Sequence, residues 1–138
     1  MIVLDTNVIS ELNRAMPDPR VASWLKDQIP ANLATTAINE AEVLMGLALL
    51  PEGKRRDGLY RETMALLKGI GSRIFPFDRD AAQLYPLVVI QRRVMGLATA
   101  IADGQIAAIA RANGAAVATR NVDDFAHCGL DLINPWTA

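Results

Sequence analysis

The first hydrophobic run, Ile2-Val3-Leu4, is too short for an amphipathic helix and is closed by Asp5, Thr6 and Asn7. A short β-branched run that opens a domain reads as a buried strand. Similar runs fall at residues 32–35, 73–77, 115–119 and, more weakly, 130–133. Between them lie stretches with helical periodicity. Residues 21–28 follow Asp18-Pro19, and residues 36–50 have Thr36 as N-cap and Pro51 as stop. Residues 54–69 follow the Pro51-Glu52-Gly53 turn, 80–95 run from an acidic cap to Gly96, and 100–112 stop at Asn113-Gly114. Strands alternating with helices predict an α/β fold: a mostly parallel sheet with helices on both faces, an α/β/α sandwich. The helices within 36–69 are expected to form an antiparallel pair between the second and third strands.

Length and composition narrow this picture. At 138 residues the chain is expected to form one domain, residues 1–138, large enough to bury a core without staples. Hydrophobic residues make up 51% and aromatics only 5%, so Ala, Leu, Ile and Val must build that core. Cys128 is the single cysteine, which rules out an internal disulfide and suits a reducing compartment, hence a cytoplasmic protein. Neither a signal peptide nor a membrane span is expected. A net charge of −1 argues neither for nor against nucleic acid. The basic residues are mostly Arg, which suits bidentate contact with phosphate. Ala- and Arg-rich usage also follows from genomic base composition.

Seven of the fifteen acids have an ordinary explanation at once. Asp18, Asp27, Asp57, Glu52 and Glu62 sit in polar or turn surroundings, and Asp78 and Asp80 mark a helix start. Four positions resist that dismissal. Asp5 ends the first strand, on the sheet edge where ligands bind in open α/β folds. Glu42 shares a helical face with Ile38, Met45 and Leu49, where an unpaired carboxylate is costly, although Glu40 also has apolar neighbours. Asp103 interrupts a small-residue run near a helix start, where the helix dipole alone accounts for an acid. The pair Asp123-Asp124 follows the fourth strand. Carboxylates gathered from these places repel unless a cation neutralises them, and an all-oxygen set suits Mg²⁺ or Mn²⁺. Zinc is disfavoured, since His127 and Cys128 are the only residues of their kind. No catalytic triad, Walker A sequence or dinucleotide fingerprint is present. Metal-assisted hydrolysis remains.

Several segments together resemble one family: Met1-Ile-Val-Leu-Asp5-Thr-Asn7, Asn39-Glu-Ala-Glu42-Val-Leu-Met-Gly46, Leu50-Pro-Glu-Gly-Lys-Arg-Arg56, Ala102-Asp103-Gly-Gln-Ile-Ala-Ala-Ile-Ala110, Ala118-Thr-Arg-Asn121-Val-Asp-Asp-Phe125 and Ile133-Asn-Pro-Trp136. Their order and spacing resemble the PIN-domain family, in particular the toxin ribonucleases of bacterial VapBC and FitAB type toxin–antitoxin systems. The resemblance implies a compact α/β/α sandwich, Mg²⁺- or Mn²⁺-dependent cleavage of RNA, a homodimer, and a small cognate antitoxin that binds DNA. It maps the family's acids onto Asp5, Glu42 and Asp103. It places a fourth in the stretch 121–124, with Asp124 chosen and Asn121 standing where some relatives carry an acid. Thr6, Asn7 and Thr119 become groups that position ligands or water. Of the arginines considered for steering an RNA backbone (Arg14, Arg20, Arg55, Arg56, Arg92, Arg93, Arg120), Arg120 flanks the proposed site. A haloacid-dehalogenase-like phosphatase needs an Asp where Asn7 stands and a Lys beyond Lys68, and a phospho-receiver domain needs that Lys too. The rival reading is a PIN-like subunit that acts by binding within a DNA-bound complex, with little nuclease activity.

Overall fold

The structure, a computed structural model, describes residues 1–138. Five strands form one sheet: β1 (Ile2–Leu4), β2 (Leu33–Thr36), β3 (Ile74–Phe75), β4 (Ala116–Ala118) and β5 (Leu132–Ile133). Their spatial order is β3-β2-β1-β4-β5, and every pairing is parallel. The expectation of a mostly parallel sheet is met by one that is wholly so. The third strand is shorter than the predicted 73–77, because Phe77 turns toward the Asp78 cap of the next helix and makes an edge contact with Tyr85.

Strand pleating explains both core layers. Val3 and Val117 point into one layer with Ala34, Val88, Ile106 and Phe125. Leu4 and Ala118 point into the opposite layer with Val8, Ile9, Val21, Val43 and Trp136. Both faces are covered, so short continuous apolar strands with no polar alternation are what such a sheet requires. The first layer is closed by α5 (Arg79–Val94) and α6 (Ile101–Ala112). The second is closed by α1 (Thr6–Leu12), α2 (Pro19–Lys26) and α3 (Ala37–Ala48), with α4 (Lys54–Ile70) packed against α3. A single-turn helix, α7 (Val122–Phe125), follows β4. No helix is long and apolar enough to cross a membrane.

The predicted helices appear within a few residues of their expected bounds, and the caps explain why. Thr36 accepts the Asn39 N–H, Asp18 the Arg20 N–H and Asp78 the Ala81 N–H. Helix α1 was not expected, since Thr6, Val8 and Ile9 are β-branched and helix-poor. It forms because Val8 and Ile9 are wholly buried against the sheet, and packing outweighs propensity.

The strand order fixes where a site can lie. The chain leaves β1 toward β2 and β3 on one side, then returns to place β4 and β5 on the other. That reversal opens a crevice at the carboxyl ends of β1 and β4. Asp5 and Thr119 are the residues that follow those two strands.

Candidate functional site

Asp5 is 5% exposed and accepts four hydrogen bonds. Its Oδ1 takes the Thr6 N–H at 2.9 Å and the Asn39 Nδ2 at 3.0 Å. Its Oδ2 takes the Thr119 hydroxyl at 2.7 Å and the Asn7 Nδ2 at 3.3 Å. The carboxylate is therefore held from both sides in one orientation. Its acceptance of the Thr6 N–H also makes it the N-cap of α1.

The network continues outward. Asn39 is fully buried, and the Thr36 hydroxyl donates to its Oδ1 at 2.7 Å. Its Nδ2 also donates to Thr6 Oγ1 at 3.0 Å, and Thr6 in turn donates to Glu42 Oε1 at 2.8 Å. That hydrogen bond separates Glu42 from Glu40, which lines a different surface hollow with Met64 and Lys68. The apolar stripe expected around Glu42 is not buried. Glu42 is exposed, and so are Met45 (62%) and Leu49 (78%), so no burial cost singles it out. Its connection to Thr6 does.

On the opposite wall, Thr119 Oγ1 accepts the Asn121 N–H at 3.0 Å, and Asn7 Oδ1 accepts the Arg120 N–H at 3.2 Å. Asn121 and Arg120 thus join the network through their backbones. The Arg120 guanidinium lies 5.2 Å from the Trp136 ring centroid, a cation–π contact that keeps it beside the crevice.

Asp103 lies in the first turn of α6 and is partly buried. Burial, then the charges of Asp5, Asp124 and Glu42 in that order, push its carboxyl up to about 6, with Arg92 opposing. Asp103 therefore feels the other three acids across the crevice, Asp124 among them. Asp18 shows the contrast: paired with Arg20 at 2.9 Å, its carboxyl is lowered to about 2. None of the four crevice acids takes part in an ion pair.

Asn39 has a central place and was not singled out from the sequence as a site residue; its only local signal is the spacing of three from Thr36. Arg92 was one of seven arginines considered for steering an RNA backbone, and its burial takes it out of that set. It is 3% exposed, and its guanidinium donates to Thr99 Oγ1 (2.8 Å) and to the carbonyls of Ala98 (2.9 Å), Ala126 (2.6 Å) and Asp123 (3.2 Å). It ties α5 to the segment before α6 and to the end of α7, the two elements that carry Asp103 and Asp124. Gly104 helps seat α6, since a Cβ there would lie 2.8 Å from Tyr85 of α5. Arg20, Arg14 and Arg56 are paired with Asp18, Glu11 and Glu52.

The donor set is made of oxygens only, and its carboxylates lack cationic partners in ion pairs. That chemistry fits a hard divalent cation. No three acidic, His or Cys side chains form a ready-made ion cage, so the fit rests on the kind and charge of the donors.

The PIN domain family profile matches residues 2–129. The chain is 45% identical over 138 residues to the VapC ribonuclease Y4jK of Sinorhizobium fredii, covering 99% of this chain and 98% of that protein. It is 39% identical over 137 residues to Toxin FitB of Neisseria gonorrhoeae, covering 99% of each. The crystal structure of FitAcB from Neisseria gonorrhoeae superposes with a TM-score of 0.94 at 39% identity over 100% of both chains.

Proposed function

The chain belongs to the PIN-domain family, and from that premise we propose that it is a divalent-metal-dependent endoribonuclease acting as the toxin of a toxin–antitoxin pair. The observation that carries the reading is the crevice itself: Asp5, Glu42 and Asp124 all within electrostatic reach of Asp103, with no ion pair to neutralise any of them. All 138 residues would form one nuclease domain. The names of the relatives, a VapC ribonuclease and a FitB toxin, support the same activity.

Asp5 and Asp103 would hold the principal Mg²⁺ or Mn²⁺, and Glu42 and Asp124 would complete the cluster or hold a second ion. A divalent ion there supplies Lewis acidity and lowers the pKa of a bound water. The protein's share is positioning. Asn39, Thr6, Asn7 and Thr119 fix the Asp5 carboxylate, so little reorganisation is left for the moment of reaction. The Arg120 guanidinium, over the Trp136 ring and next to Thr119, would meet the RNA phosphate. A homodimer in the cytoplasm, inhibited by a small DNA-binding antitoxin, completes the reading. A purely binding role fits the site less well, because four unneutralised acids make a poor surface for nucleic acid without metal.

The test is Asp5→Asn. We expect it to fold, by circular dichroism, and to lose metal-dependent RNA cleavage and growth inhibition by roughly a thousandfold or more. Cleavage at the wild-type rate by that variant would sink the assignment.

A further inference from the structure

A groove of about 830 Å³ begins at the acid cluster and runs away from it between α1, α3 and α4. Thr6 and Glu42 line its inner end; Lys54 and Arg55 bring unpaired positive charge to its walls, while Arg14 there is paired with Glu11 and Glu62 is the one further acid in the lining. Its size falls within the range of ligand sites, about 300–1,000 Å³.

Two glycines in its walls have no explanation inside the protein. Gly46 lies within α3 and Gly58 within α4, and both line the groove. A glycine inside a helix lowers stability relative to alanine, so it needs a reason. Packing does not supply one. A Cβ built at either position meets nothing within 4 Å, and neither residue has a positive φ. Gly104 differs, because Tyr85 occupies the space its side chain would take. Gly69 of α4 is equally open but lies outside the groove, whereas the room at Gly46 and Gly58 lies on the groove wall.

The charges say what would use that room. Lys54 and Arg55 open α4 and take part in no ion pair. The N-cap of α4, Gly53, offers no side chain to its first N–H groups, so the helix end adds favourable potential for an anion. No aromatic residue lines the groove, so it lacks a platform for base stacking. What it offers is contact with a backbone: cations for phosphates and bare helix walls for close approach.

We propose that this groove seats a single-stranded RNA segment next to the scissile phosphate, held through its phosphates by Lys54 and Arg55 and brought close to the helices by Gly46 and Gly58. The inference rests on the nuclease reading above. It makes the binding indifferent to base sequence within the groove.

Binding of short fluorescent oligouridylate and oligoadenylate to the full chain with Ca²⁺ in place of Mg²⁺, under conditions where the acids are neutralised but no cleavage is detected, tests it. The double variant Lys54→Ala/Arg55→Ala should weaken both oligomers by roughly tenfold and reduce the salt-dependence slope by about 1.4, at about 0.7 for each phosphate no longer neutralised. Gly46→Gln/Gly58→Gln should hold or raise the melting temperature, since Gln is the better helix former, while weakening both oligomers by a similar factor. A loss of fold would lower both quantities together, so the opposite signs isolate the groove. RNA binding at the wild-type level in both variants, with wild-type cleavage intact, overturns the groove and leaves the nuclease reading standing. Variants that keep RNA binding but no longer bind a co-expressed antitoxin place a peptide there and also overturn it. Wild-type protein that neither binds nor cleaves RNA overturns both readings.

Discussion

Asp5 and Asp103 are both carboxylates on the carboxyl edge of one sheet, yet the protein treats them differently. Asp5 is buried under four hydrogen bonds from Thr6, Asn7, Asn39 and Thr119. Asp103 receives no such partner and is raised to about 6 by burial and by its acidic neighbours. One half of the crevice is organised by donors that fix a side chain. The other is organised at a distance, by Arg92 holding the segments from which Asp103 and Asp124 project. The difference shows where a cation adds most. The inner carboxylate is already in place without it, whereas Asp103 faces repulsion from its neighbours that a cation or a proton relieves.

The largest effect should come from breaking the donor-held half. Asn39→Leu keeps the volume but removes the donor to Asp5 and Thr6 and the acceptor for Thr36. We expect a stability loss of about 2–4 kcal/mol by urea unfolding. RNA cleavage should also fall roughly a hundredfold, because Asp5 can then rotate. A variant as active as wild type would mean that the hydrogen bonds do not orient Asp5.

Next in size is the clamp. Arg92→Met leaves three carbonyls and the Thr99 hydroxyl without their donor. This should destabilise the chain by about 2–3 kcal/mol and slow cleavage roughly tenfold with little change in KM. Arg93→Ala, an exposed neighbour, should stay within about 0.5 kcal/mol of wild type. Equal effects at both positions would erase the distinction drawn between the halves.

The smallest effect is on pH dependence. Asp103 is raised from 3.8 to about 6 in the folded chain, so folding favours its protonated form. In the absence of divalent ions, this group lets stability rise as pH falls from about 6 toward about 4, and removes that gain as pH rises again. Thermal melts in EDTA should show that slope, and Asp103→Asn should flatten it. Added Mg²⁺ should raise the wild-type melting temperature more near pH 7 than near pH 5, because protons compete for the same oxygens. An unchanged slope in Asp103→Asn would assign the titration elsewhere.

The strands were legible because a two-sided parallel sheet demands continuous apolar runs, which four of the five strands are, while β2 ends in the buried pair Thr35-Thr36. The helix starts were legible where a cap lies next to its helix, as at Thr36 and Asp18. Helix α1 was not, since its β-branched residues are held helical by partners distant in the chain. For Glu42, periodicity could not separate it from Glu40, and burial gave no help because Met45 and Leu49 point to solvent.

Local patterns, and motifs taken in order along the chain, were enough to establish the family, the alternation of strands and helices, and the short roster of acids worth following. Folding was needed to bring Glu42 to Thr6, to put Asp124 within reach of Asp103, to bury Arg92 beneath three carbonyls and to aim two glycines at one groove. Each depends on which groups from distant segments share a few ångströms, and hydrogen bonds and charges act only over such separations.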